Sequence, residues 1–145
     1  MNIDSGSVWE SQVGYSRAVR VGEQVFVTGT VAADESGSIH APGDGYAQTE
    51  FIMRKIETAL DHADASIHDI VRMRIYITDM ACADAVGRAH REILGNIRPA
   101  TTMVVVAGLW GEGSVVEIEA DAILGVDEVD QCGCVMPETS RTSSS

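Results

Sequence analysis

The strongest constraint on this chain is a period of two in its last third. Residues 115–124 read VVEIEADAIL, so Val116, Ile118, Ala120, Ala122 and Leu124 fall on one side and Glu117, Glu119 and Asp121 on the other. An extended strand separates those two sets, because successive strand side chains point to opposite faces and a one-residue slip would carry every acid into the core. The chain must therefore build a sheet with one packed face and one polar face. Three acids in line on the polar face repel one another unless water, a cation or a partner group meets them, so that face is either solvated or lines a cleft. Upstream, residues 100–107 read as another strand, and a link with Gly108, Gly111 and Gly113 leads into the acidic one. An antiparallel hairpin of the two is the simplest expectation.

The remaining elements follow in chain order. Residues 16–21 and 24–31 are strand-like on either side of Gly22-Glu23, which predicts a tight hairpin. Gly29 interrupts the second of these strands; a bulge is the favoured reading, and close approach of a ligand to bare backbone is the other. Residues 32–45 have loop composition, with a short edge strand near Ile39 and an exposed His40 that has no second ligand at metal spacing. Ile52, Ile56, Ala59, Leu60 and Ala63 recur at three- and four-residue intervals, which predicts an amphipathic helix over 46–64. Over 69–78 the pattern alternates again, Val71, Met73, Ile75 and Ile77 against Arg72, Arg74 and Tyr76. A strand, a crossover helix and a parallel strand form a right-handed unit that lays the helix on the sheet. A second helix is predicted over 82–94, with Ala85, Val86, Ala89 and Ile93 inward and His90 one position off that stripe. Gly95-Asn96 stops it, and Arg98-Pro99 restricts entry into the next strand.

Length and charge set the outer bounds. At 145 residues the chain is one domain in size. It divides into a polar lead-in (1–13), a folded domain (14–125) and a Ser/Thr-rich tail (126–145) with the composition of disorder. A net charge of −12, with Lys55 the sole lysine, repels a phosphate backbone and excludes nucleic acid as the expected partner. Apolar runs fall short of a membrane span, and the acidic start lacks an export signal, so neither membrane nor secretion is expected. Cys82, Cys132 and Cys134 form an odd set without a disulfide framework, which fits a reducing, cytoplasmic compartment. Cys132-Gly133-Cys134 lacks neighbouring ligands for zinc, and no metal is expected.

Four collinear stretches, GYSRAVRVGEQVFVTG (14–29), DHADASIHDIVRMRIYITDM (61–80), RPATTMVVV (98–106) and VVEIEADAI (115–123), resemble the reactive intermediate deaminase family, called RidA or YjgF. The resemblance implies an α/β (α+β) fold like the trimeric bacterial chorismate mutase: a mixed sheet covered by two helices, closing as a homotrimeric barrel with clefts between subunits. It also implies hydrolysis of enamines or imines such as 2-aminoacrylate to a keto acid and ammonia, with no cofactor, because an iminium carbon is already electrophilic. Glu117 matches the family acid that activates water or passes a proton. Tyr15 matches an aromatic at the cleft mouth, Gly29 a close backbone approach, and Met103 a position where Cys is common; His90 stands where Tyr is common. Glu119 shares the face of Glu117 without matching a functional position.

One departure matters most. In the family an Arg follows Pro-Ala and grips the substrate carboxylate in a two-pronged pair, and this chain has Thr101 there. Either another cation holds the carboxylate, with Arg17 and Arg98 the candidates, or the ligand has no carboxylate and Thr101 and Thr102 offer hydroxyls. Arg98 sits three residues from Thr101, on the opposite strand face unless Pro99 re-aims it. The expected function is thus a deaminase-type hydrolase acting on a reactive enamine or imine of a specialised pathway rather than on 2-aminoacrylate. The alternative is a non-catalytic trimer that binds a small metabolite and regulates or protects a partner enzyme. The ribonuclease activity sometimes ascribed to the family fits the acidic charge poorly.

Overall fold

A computed structural model describes residues 1–125; the Cys132/Cys134 pair and the expected tail lie outside the described residues. In chain order the elements are β1 (Asn2–Ile3), α1 (Val8–Val13), β2 (Ala18–Val21), β3 (Gln24–Val31), α2 (Gly45–His62), β4 (Ile70–Ile77), α3 (Ala83–Leu94), β5 (Ala100–Val105) and β6 (Val116–Ile123). They form one six-stranded sheet in the order β1-β2-β3-β6-β4-β5. The acid-bearing strand β6 is central and antiparallel to both β3 and β4. Beyond β4, β5 closes the sheet as a parallel edge strand reached through α3.

This corrects the expected hairpin. β5 and β6 do not pair: the link over residues 106–115 carries the chain past β4, and β6 inserts between β3 and β4. The physical reason lies in burial. Val116, Ile118, Ala120 and Ala122 are all buried, and a central position gives the strand hydrogen-bonding partners on both edges, which an edge hairpin would not. The crossover is held by Gln48 of α2, fully buried, whose Nε2 donates to the carbonyls of Gly113 (2.8 Å) and Ala41 (3.1 Å) while its Oε1 accepts from the Val115 amide (3.0 Å). Gly111 and Gly113 have φ near +92° and +82°, and a Cβ on either would collide with Ile39 or Pro42. The link therefore needs glycine there for both conformation and space.

Both helices pack on one face. Ile52, Ile56 and Leu60 of α2 and Val86 and Leu94 of α3 are fully buried against Val25, Met73, Ile75 and Ile118, each large side chain contributing roughly 1.5–3 kcal/mol of burial. A bulge in β4 near Val71 brings Ile70 into this core and leaves Val71, expected inside, half-buried. The expected lead-in is also part of the fold. Asn2 and Ile3 pair with Val19 and Ala18, and α1 is capped by Ser7 and ended by Gly14 in the left-handed conformation. Among the described residues no helix is long and apolar enough to cross a membrane.

Candidate active site

The face of the sheet opposite α2 and α3 carries the acids. Register sets Tyr76 opposite Glu117, Arg74 opposite Glu119 and Arg72 opposite Asp121. The side chains then lean diagonally: Tyr76 donates its phenol hydrogen to Glu119 Oε1 (2.9 Å), and Arg74 Nη1 donates to Asp121 Oδ2 (3.2 Å) while lying 3.5 Å from Glu119 Oε1. Glu119 and Asp121 thus share the single Arg74 cation, and each accepts a side-chain hydrogen bond. Among the described residues Glu117 accepts no hydrogen bond from any side chain or amide, although it is half-buried. Burial pushes its carboxyl pKa up, the neighbouring Glu119 charge pushes it further, and Arg17 opposes them more weakly. An unpaired carboxyl whose pKa is raised by its surroundings is the arrangement that general acid/base chemistry uses.

Gly29 makes room for it. The β3–β6 register shifts between Val27 and Thr30, so the expected bulge is present, and a Cβ on Gly29 would stand 2.5 Å from Glu117 Oε1. The group that approaches the bare backbone is thus the chain's own acid. Arg17 braces the same bulge: its Nη1 donates to Thr30 Oγ1 (3.0 Å) and to the Gly29 carbonyl (3.4 Å). Its Nε lies 3.5 Å from Glu10 Oε1, an ion pair without hydrogen-bond geometry. Glu10 in turn accepts from the Ser5 amide and hydroxyl. At 8% exposure the Arg17 guanidinium is committed to these internal acceptors, and the Tyr15 ring centre lies 5.9 Å from it. A cleft of about 890 Å³ is lined by Tyr15, Glu10 and Thr28, and neither Gly29 nor Glu117 lines it.

The remaining expected residues form a separate group. Thr101 pairs with Met73 and Met103 with Ile75, which puts both on the helix side of β5, whereas Thr102 and Val104 share the open face. Met103 packs partly onto the core. Thr101 is exposed at the sheet edge; its Oγ1 donates to the Pro99 carbonyl (2.9 Å) and lies 3.3 Å from His90 Nε2 of α3. His90 is half-buried, and burial pushes its pKa down. Arg98 is exposed with φ +53°, its amide donating to the Leu94 carbonyl. One copy therefore holds Tyr15, Arg17, Gly29 and Glu117 together, and His90, Arg98, Thr101 and Met103 together, with β4 and the thickness of the sheet between the groups.

Tyr76, Glu10 and Gln48 were not singled out by sequence. Tyr76 gains its importance from the β4–β6 register, and that register becomes visible only once β6 is known to insert beside β4.

A mixed sheet with two long helices on one face and an acid-lined opposite face defines the chorismate-mutase-like α+β class. Residues 7–124 match the family described as endoribonuclease L-PSP, and the chain belongs to that family, that of the RidA and YjgF proteins. The crystal structure of Rv2704 from Mycobacterium tuberculosis, a member of the YjgF/YER057c/UK114 family, is 46% identical with a TM-score of 0.77, covering 86% of this chain and 98% of that one. The uncharacterized protein SCO2049 of Streptomyces coelicolor is 35% identical over 123 residues, 85% of this chain and 91% of the relative. The 3-aminoacrylate deaminase RutC of Acinetobacter baylyi is 30% identical over 108 residues, 74% of this chain and 85% of the relative.

Proposed function

We propose that the chain hydrolyses a reactive imine or enamine to a carbonyl compound and ammonia, with Glu117 as the acid/base. The carrying observation is that Glu117 alone of the three acids is unpaired, half-buried and fitted against Gly29. A protonated Glu117 delivers its proton to the enamine carbon, giving an iminium ion; the resulting carboxylate takes a proton from water as the water oxygen bonds to the iminium carbon. The same carboxyl gives that proton to the amino nitrogen and then takes the proton of the new hydroxyl as the C–N bond breaks, so that ammonia leaves, the C=O bond forms and Glu117 is again protonated. The chemistry calls on no metal or organic cofactor. A relative named as a 3-aminoacrylate deaminase supports the reaction class.

The site is completed in this reading by a second copy. β5 is an uncharged edge strand with Val104 and Val105 42% and 47% exposed, the kind of edge that pairs with another chain unless covered. A homotrimer that covers this edge brings the Thr101 group of one copy towards the Glu117 group of its neighbour, and a small metabolite occupies the cleft between them. The family's ribonuclease description is disfavoured for this chain, because a net charge of −12 and an acid-lined face oppose RNA.

The test is ammonia release from 2-aminoacrylate and 2-aminoacrylamide, each freed in the assay from a photocaged precursor. The wild type accelerates release from at least one, and Glu117→Gln loses on the order of 10²-fold or more of that acceleration while keeping its assembly. No acceleration by wild type from either compound, or full activity in Glu117→Gln, overturns the proposal.

A further inference from the structure

Tyr76 has two acids for neighbours and serves one of them. It pairs across the strands with Glu117, yet its hydroxyl crosses diagonally and donates to Glu119 Oε1 at 2.9 Å. Arg74 lies on the same side, 3.5 Å from that oxygen. Glu117 turns the other way, its Oε1 set against the bare backbone of Gly29 on β3. The two carboxyls therefore share one sheet face two residues apart, about 6.5 Å along the strand. Among the described residues, the side-chain donors of this pair all go to Glu119.

Two carboxylates so placed repel each other, and the repulsion is relieved when one keeps a proton. A hydrogen bond given to the charged form of one decides which of them ionises first. The phenol is a lasting donor, because its bond to Glu119 raises its own pKa. The other groups around Glu117 do not reverse the choice. Arg17, ahead of β2, favours the Glu117 anion, but burial and the Glu119 charge outweigh it, and its guanidinium is paired with Glu10 of α1. β3 presents bare backbone at Gly29, and β5 places the uncharged Val104 beside Tyr76.

We propose that Tyr76 is a positioning residue that assigns the proton within the Glu117–Glu119 pair: its hydroxyl fixes Glu119 as the anion and leaves Glu117 as the acid. Glu119 then acts on the reaction through its charge and touches no reacting atom. The inference rests on the deaminase reading for the use made of the proton, and on the strand geometry for which acid holds it.

The test follows the Glu117 carboxyl by ¹³C NMR through a pH titration of the full chain, its signal identified by its loss in Glu117→Gln. Glu119→Gln keeps an acceptor for Tyr76 and removes the charge, so the Glu117 midpoint falls by about half a pH unit or more, the effect of a unit charge about 6.5 Å away in water. Tyr76→Phe lowers the midpoint by part of that shift. Added to Glu119→Gln, Tyr76→Phe moves it no further, because Tyr76 acts through Glu119; a merely structural tyrosine would shift it equally in both backgrounds. An unmoved midpoint in Glu119→Gln or in Tyr76→Phe, or an equal shift from Tyr76→Phe with and without Glu119, overturns the inference. On the aminoacryl compound that wild type turns over, the alkaline limb of ammonia release moves to lower pH together with the midpoint. The two readings fail separately. A midpoint that moves as stated, with no turnover by wild type or with an alkaline limb that stays in place, removes the acid role of Glu117 in deamination alone, whereas Glu117-dependent turnover with a midpoint that neither variant moves removes this inference alone.

Discussion

At the scale of single residues, Glu117 ties chemistry to stability. Its folded pKa is raised, so the fold favours the neutral carboxyl: the associated stability is fully present below the unfolded value of 4.5 and is lost as pH rises through the folded value. Thermal unfolding should therefore find Glu117→Gln more stable than wild type at pH 7, with the advantage vanishing near pH 4; an equal effect at both pH values would refute the shift. Gly29→Ala separates space from stability. The collision it introduces is with the end of a flexible side chain, so unfolding free energy should change by less than about 1 kcal/mol, while displacement of the carboxylate lowers turnover. Adding Glu117→Asp, which shortens the acid, should recover part of the lost turnover. That Gly29 breaks a strand is legible in the sequence. That its missing side chain is replaced by Glu117 is not, because the contact joins β3 to β6 across a bulge.

At the scale of elements, the strands and helices from β2 onward and the β2–β3 hairpin were legible, and the neighbours of β5 and β6 were not. Alternation in VVEIEADAIL states which residues face the core, and burial agrees for Val116, Ile118, Ala120 and Ala122. It says nothing of which strand lies alongside, and a glycine-containing link over 106–115 has the same composition whether it turns back or crosses over. What decides the crossover is Gln48, one polar residue within a helix whose apolar stripe is complete without it. Gln48→Ala leaves the Val115 amide and the Ala41 and Gly113 carbonyls without that partner, and should cost about 3 kcal/mol in denaturant unfolding. A loss below about 0.5 kcal/mol would show that the crossover is held otherwise. The N-terminal elements escaped for a different reason: a two-residue β1 and a six-residue α1 are shorter than the periods that reveal them.

At the scale of the whole molecule, two separate groups of residues and an uncharged edge strand motivate the proposal that the cleft forms between copies. The resemblance to a family named most of these residues from the sequence, and in one copy they stand in two groups with β4 between them. Activity should then be recoverable from two inactive proteins. Glu117→Gln removes the acid from one half, and Thr101→Trp fills the other with bulk, so neither alone should release ammonia from the aminoacryl compound that the wild type prefers. Co-expression of the two, with mixed assemblies purified by distinct tags, is the most direct measurement. If the cleft is shared, some sites in a mixed assembly pair an intact Glu117 with an intact Thr101, and activity returns; mixed assemblies that form and stay inactive, beside an active wild type, would contradict a site built between copies.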